Sequence, residues 1–331
     1  LDTPSPPQRK TGLITNPYSR RNRTHRQAIA SIVADHPNIL HRVTEHPEQL
    51  AEVLREFAAA GVRVLAINGG DGTSARVFTA LLQQRPFAAL PSLALLPGGS
   101  TNVNANDVGL RGGLQRAARS LASWARGAPV AEQRVTRHLL CVRGAVQEQP
   151  QYGMFFGAGS VVRGIEYCQR TFYQRGIANA FGPALAIARV AWGMFRNQPR
   201  FASPTPMRVE LAALDEASAP REVLLMMITS LDHLILGMRP YWGGETGALH
   251  CTWIEKPAHG LLRAMPHVLR GRPDARVTPE HGYLSHNASQ ARLWLNGTFT
   301  VDGEMHHADS STPLTVSTAD ELEFLRLGRL R

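Results

Sequence analysis

Residues 62–73 read Val-Arg-Val-Leu-Ala-Ile-Asn-Gly-Gly-Asp-Gly-Thr. An apolar run from Val62 to Ile67 stops at Gly69, Gly70 and Gly72, which surround Asp71, and Thr73 then leads into a helical pattern of Val77, Phe78, Leu81 and Leu82. Glycines at a strand-to-helix turn can take positive φ and aim successive backbone N–H groups at one anion. The helix that follows adds its positive end at the same spot. A carboxylate among phosphate oxygens is repulsive unless a cation lies between them or it takes a proton. Asp71 therefore points to Mg²⁺-nucleotide chemistry rather than plain anion binding.

A second glycine turn, Pro97-Gly98-Gly99-Ser100-Thr101-Asn102, follows the short apolar run Leu93–Leu96. The Ser100 and Thr101 hydroxyls and the Asn102 amide suit phosphate or ribose; either hydroxyl would equally serve as a helix N-cap. A third turn is Thr15-Asn16-Pro17-Tyr18-Ser19. In a β/α domain it falls on the same sheet edge as the first two, as does Thr44 after the run Ile39–Val43. A remote element, Val301-Asp302-Gly303-Glu304, reads by itself as a hairpin turn. On an extended backbone Asp302 and Glu304, at i and i+2, would share a face, one acting as a base and the other tuning it. No G-x-x-x-x-G-K, G-x-G-x-x-G or G-x-S-x-G sequence occurs. His306-His307 lacks zinc spacing and reads as surface.

Strands and helices alternate as far as Trp124. Strands are predicted at Gly12–Thr15, Ile39–Val43, Val62–Ile67 and Ser92–Leu96. Helices are predicted at His25–Ala34, His46–Ala60, Thr73–Gln83, Thr101–Val108 and Gly113–Trp124. This spacing implies a doubly wound parallel sheet. After Pro129 strands dominate: Arg134–Arg143, Met207–Leu214, Val223–Ser230, Ala248–Glu255, Arg292–Leu295 and Thr298–Val301, with a hairpin cue at Asn296-Gly297. Only Gly164–Phe195 and Ala258–Leu269 look helical there. The organisation expected is a mobile Pro-rich leader (1–10), an α/β domain (11–130, with 320–331 returning to it) and a β-rich domain (131–319).

The 331 residues carry a formal charge of +10. It is almost wholly arginine, since Lys10 and Lys256 are the only lysines. An arginine-rich surface suits anionic lipid headgroups or nucleic acid, although such a charge also simply aids solubility. Cys141, Cys168 and Cys251 form no metal or disulfide spacing, which suggests a reducing compartment. The apolar stretch Ile177–Phe195 is interrupted by Asn179, Gly182, Pro183 and Arg189, too often for a spanning helix.

Together, Asn16-Pro17 with Ser19, Thr44, Gly69-Gly70-Asp71-Gly72-Thr73, Pro97-x-Gly99-Ser100-x-Asn102 and Asp302-Gly303-Glu304 resemble the diacylglycerol kinase-like lipid kinases. That family shares its nucleotide domain with NAD kinases. The resemblance implies a nucleotide domain of doubly wound α/β type, a second β-sandwich domain and an active site in the cleft between them. It implies ATP and Mg²⁺ as cofactors, with Asp71 working with the metal and Glu304 as general base supported by Asp302. Nucleotide contacts would come from Asn16, Ser19, Thr44, Gly69–Thr73, Gly99, Ser100 and Asn102. The implied reaction phosphorylates a primary hydroxyl of a membrane lipid, diacylglycerol-like or ceramide-like. The lipid tail would enter beside the apolar segment Phe172–Phe195, which a buried core helix would equally explain. The expected setting is cytoplasmic, peripheral at the inner membrane face, with no nucleic-acid partner and a homodimer left open. Two alternatives stand: an NAD kinase-like enzyme with a soluble substrate, and a non-catalytic lipid- or nucleotide-binding relative. Five positions depart from the family pattern. Ala75-Arg76 replaces Asn-Glu, Val103 replaces Asp, and Glu245-Thr246-Gly247 stands where a structural magnesium site has Asp-Asp-Gly. A Thr246 hydroxyl is a poor Mg²⁺ ligand.

Overall fold

The computed structural model describes residues 9–34, 36–146, 149–168, 170–171, 181–211 and 219–328. The chain divides into two compact units, 1–137 with 321–331, and 138–320. The sequence places the boundary at 130/131, where the period changes; the units divide at 137/138, inside a strand that begins at Ala131. Of the expected leader, 1–8 lie outside the described residues. Arg9 and Lys10 are tied down: the Arg9 guanidinium donates to Trp124 O at 2.8 Å, and Lys10 O accepts from Arg63 N at 3.0 Å.

In the first unit the order is β1 (Thr11–Thr15), α1 (Arg20–Val33), β2 (Ile39–Val43), α2 (Leu50–Ala59), β3 (Val64–Gly69), α3 (Asp71–Gln84), β4 (Ser92–Pro97), α4 (Val103–Val108) and α5 (Leu114–Ala125). The strands lie β2-β1-β3-β4, all parallel. The chain's last strand joins them beside β4, with Phe324 opposite Leu93. Helix α1 starts at Arg20 rather than His25 because its first turn is polar and basic, so apolar periodicity does not reveal it. Leu13, Ala66 and Ala94 face α1 and α5 in one core that includes Ile29, Val33, Leu114, Leu121 and Trp124. Gly12 faces the other way, where a Cβ would lie 2.3 Å from the Phe57 ring of α2. Burying each such Leu or Phe contributes about 1.5–3 kcal/mol, so both faces must be covered. The register sets Thr15 opposite Val43 and Asn68, and Gly69 opposite Pro97. The turns after β1, β2, β3 and β4 therefore share one edge.

The second unit holds the latter part of β5 (Ala131–Arg143), then β6 (Gln151–Gly153), β7 (Phe155–Gly159), α6 (Ser160–Cys168), α7 (Phe181–Phe195), α8 (Pro199–Ala202), β8 (Thr205–Leu211), β9 (Arg221–Thr229), β10 (Leu249–Glu255), α9 (Leu261–Arg270), β11 (Tyr283–Ala288), β12 (Gln290–Leu295), β13 (Gly297–Val301), β14 (Glu304–Ala308) and the first half of β15 (Leu314–Gly328). Pairing is antiparallel. Strand β9 takes β10 along one edge and β7 and β8 along the other, and β11 extends β10. Phe156, Met226, Trp253, Leu293, Phe299 and Val316, from six strands, meet in one core. Leu224, Ile254 and Tyr283 form a second core with Met194, Phe201, Leu261 and Val268 on the helices. Of the predicted helix Gly164–Phe195, the residues up to Cys168 lie in α6 and Phe181–Phe195 form α7; residues 169 and 172–180 lie outside the described set. Asn296-Gly297 is not a hairpin. Strand β12 pairs β8 and β15, whereas β13 pairs β7 and β14, and Gly297 at φ 135° lets the chain change partners. No described helix is long and apolar enough to cross a membrane.

Candidate functional site

The two glycine turns of the first unit touch backbone to backbone. A Cβ on Gly99 would lie 2.4 Å from Gly70 Cα, and one on Gly98 would lie 2.6 Å from Asn68 Oδ1. None of Gly69, Gly70, Gly72, Gly98 or Gly99 has positive φ. The glycines are required for close approach, not for the left-handed backbone that the sequence suggested. Gly98 N donates to Gly69 O at 3.0 Å and so couples the turns directly. Helix α3 starts at Asp71 with Gly70 extended at its cap position. Its opening N–H groups have no acceptor within the helix, which leaves a donor-lined positive end at this edge.

The third turn is fastened to the same place. Asn16 Nδ2 donates to Thr73 Oγ1 at 2.9 Å, Asn16 Oδ1 accepts from Tyr18 N at 2.9 Å, and Ser19 Oγ lies 3.4 Å from Thr73 Oγ1. Thr44 is buried at the end of β2, and its N–H donates to Thr15 O at 3.0 Å. Two residues were missed from sequence. Asn22 Nδ2 donates to Asn16 O at 2.7 Å and Asn68 O at 3.1 Å, and Asn68 Nδ2 donates to Thr15 Oγ1 at 3.3 Å. Both asparagines are fully buried. The available signal was an amide among apolar neighbours. Asn68 ends an apolar strand, and Asn22 lines up with Ile29 and Val33 on the inward face of α1.

Asp71 is committed to its neighbours. Oδ2 accepts from Thr101 Oγ1 and Val103 N at 3.0 Å, and Oδ1 accepts from Asn104 N at 2.9 Å. It thereby caps α4 from another loop, which corrects the expectation that Ser100 or Thr101 caps that helix. Burial pushes the carboxyl up while these donors pull it down; burial prevails. Asn102 is also spent. Its amide closes on Gly99, with Oδ1 accepting from Gly99 N at 2.7 Å and Nδ2 donating to Gly99 O at 3.0 Å, and its own φ is 52°. Ser100 alone in this motif keeps its hydroxyl uncommitted among the described residues. Those residues contain no cluster of three or more His, Cys, Asp or Glu side chains suited to a metal. A magnesium ion would fit here only as Mg²⁺ commonly binds, largely by phosphate oxygens with one carboxylate.

In the second unit, Asp302 (φ 49°) and Gly303 (φ 89°) form the two-residue turn between β13 and β14, with Val301 opposite Glu304. Positive φ at both central positions makes a tight hairpin of the type I′ kind. The extended backbone that would place Asp302 and Glu304 on one face is therefore absent. Asp302 instead accepts from Met154 N and Phe155 N, both at 3.0 Å, and staples the turn to β7. Glu304 opens β14, half-buried, on the same face as His306. His306 is not surface: it stacks on Phe299 at 5.4 Å, and burial lowers its pKa against the pull of the Glu304 charge. Glu245 accepts from His286 Nδ1 at 2.6 Å and Asn287 N at 3.0 Å, and its pKa is lowered to about 2, bonds to the Asn287 N–H and His286 outweighing burial. Its carboxylate anchors the 243–247 loop to β11.

Residues 10–131 match the diacylglycerol kinase catalytic domain. The probable lipid kinase YegS-like of Enterobacter sp. (strain 638) is 35% identical over 106 residues, 32% of this chain and 35% of that protein. The probable lipid kinase YegS of Salmonella heidelberg (strain SL476) is 36% identical over 105 residues, 32% and 35% of the two. The chain thus spans about a third of the length of these curated relatives. In fold, a crystal structure of a diacylglycerol kinase from Bacillus anthracis str. Sterne superposes with a TM-score of 0.60 over 98% of both chains at 16% identity. Residues 10–131, which hold the glycine turns and the Asn16 turn, are thus similar to the diacylglycerol kinase catalytic domain.

Proposed function

We propose that the protein transfers the γ-phosphoryl group of ATP to a primary hydroxyl of a membrane lipid, a glycerolipid before a sphingoid lipid. The observation that carries this reading is the backbone contact of Gly70 with Gly99 at the start of α3. It makes a site without side chains, lined by N–H donors, where a polyphosphate can approach the main chain. Asn16 and Thr73 frame it, and Ser100 offers the uncommitted hydroxyl. Asp71 would hold the two loops together and share one oxygen with Mg²⁺ riding on the phosphates. Bound there, the ion supplies neutralisation of the charge that builds up during transfer.

An alcohol is a weak nucleophile at neutral pH and needs a base as the new bond forms. We assign that proton to the Glu304 carboxylate. Asp302 supports it by fixing the turn, not by tuning its charge. The first preference for glycerolipids follows the name of the matched domain, the diacylglycerol kinase catalytic domain.

The test is labelled-ATP transfer to diacylglycerol, monoacylglycerol, ceramide, sphingosine and phosphatidylglycerol in mixed micelles, with NAD in detergent-free buffer alongside. Label in one extracted lipid supports the proposal. Label in NAD without lipid overturns it in favour of a soluble-substrate kinase, and ATP binding without transfer in any arm overturns the enzymatic reading. Glu304→Gln should lower turnover by about 10²–10⁴-fold with ATP affinity kept. Unchanged turnover would remove its role as base.

A further inference from the structure

Helix α7 is apolar on two opposite faces, and the core needs only one. Val190, Gly193 and Met194 turn inward, against Phe201 and the cluster of Leu224, Ile254, Leu261 and Val268. On the other side Leu185, Trp192 and Phe195 are 55%, 50% and 50% exposed, with Ala188 exposed between them. The spacing 185, 188, 192, 195 repeats every three or four residues, so these side chains form one stripe. The Trp192 and Phe195 rings touch at 5.7 Å, which makes the stripe a contiguous aromatic patch. Scattered exposed apolar residues need no explanation, but a continuous stripe does.

The charges beside the stripe have one sign. No Asp or Glu occurs between Glu166 and Glu210, whereas Arg189, Arg196 and Arg200 all do. None of the three forms an ion pair among the described residues. Arg200 is parked against aromatic rings, its guanidinium carbon 5.1 Å from the Tyr167 centroid and 5.5 Å from that of Phe201. Arg196 follows the last turn of α7 in the open. A second copy of this chain, meeting the stripe across a two-fold axis, would set arginine against arginine. An anionic bilayer accepts both parts: the rings sink to the headgroup boundary and the arginines stay at the phosphates.

We propose that the outer face of α7 is a membrane-docking surface that lies flat on anionic lipid. Leu185, Trp192 and Phe195 enter the interface and Arg196 and Arg200 contact headgroup phosphates. This deepens the lipid-substrate reading by naming how the protein reaches its substrate, and it does not depend on phosphoryl transfer.

The test is co-sedimentation of the full chain with vesicles of phosphatidylcholine alone and of phosphatidylcholine with phosphatidylglycerol, without ATP. Binding to the mixed vesicles should be about tenfold or more weakened in Leu185→Ser/Trp192→Ser/Phe195→Ser, and Arg196→Glu should weaken it as well. Doxyl-labelled lipid should quench the Trp192 share of the fluorescence, as the Trp192→Phe variant reveals. Equal binding by wild type and the triple variant, or none by either, overturns the proposal. So does a wild-type dimer in solution that the triple variant dissolves without any vesicle binding. Vesicle binding with no lipid phosphorylated would leave this surface standing while the kinase reading falls. Transfer to micellar lipid without vesicle binding would do the reverse.

Discussion

Asp71 shows what a motif reveals and what it hides. Its type and its glycine neighbours suggest a phosphate-side carboxylate, but they do not reveal its hydrogen-bond partners. They are the Thr101 hydroxyl and the N–H groups of Val103 and Asn104, which a different loop delivers. Pairing between separate loops leaves no periodic trace in one sequence. The same holds for Asp302, whose role depends on Met154 and Phe155. Asp71→Ala strands three donors at once, so unfolding in urea should show a loss of about 1–3 kcal/mol in addition to any loss of turnover. A variant as stable as wild type would mean that the three bonds carry no net stabilisation. Asp302→Ala is a poor probe of chemistry for the same reason: it frees two backbone donors and removes the residue that holds the hairpin.

Elements follow the sequence where burial has a simple period. The apolar parts of β1, β3 and β4 and the stripes of α2, α3 and α5 were readable because these strands are buried almost throughout and each helix buries a stripe. Strands β6, β7, β11 and β14 were not: glycine, histidine and asparagine interrupt their alternation, and their partners lie far away in sequence. The turns were legible as glycine-rich, yet the reason for the glycines was not. Positive φ is a local property, whereas the contact of Gly70 with Gly99 is tertiary. Gly99→Ala tests it. The obstructing atom is backbone, so the two turns must separate, and equilibrium dialysis should show ATP affinity reduced by about tenfold or more, roughly 1.4 kcal/mol. Gly61→Ala, at a φ of 72° and with no neighbour within 4 Å, should affect stability rather than ATP binding.

At the scale of the whole molecule the first unit is assembled from both ends of the chain. Leu322, Phe324, Leu325 and Leu327 are buried in it, Phe324 meets Phe78 edge-on at 6.3 Å, and Glu323 accepts from Ser92 and Arg134. Deleting residues 321–331 should therefore lower the melting temperature of the first unit and weaken the proposed ATP binding, although no residue of the Asn16, Gly70 or Gly99 turns is removed. Calorimetry and dialysis on the truncated chain would check this, and unchanged values would show that four strands suffice. The arrangement also bears on how the protein is made. While a ribosome is still extending the chain, β4 has an open flank with Leu93 and Phe78 lacking their late partner, until Phe324 emerges. The nascent first unit must wait through synthesis of the entire second one, and over that interval its unpaired edge is where a chaperone would find purchase.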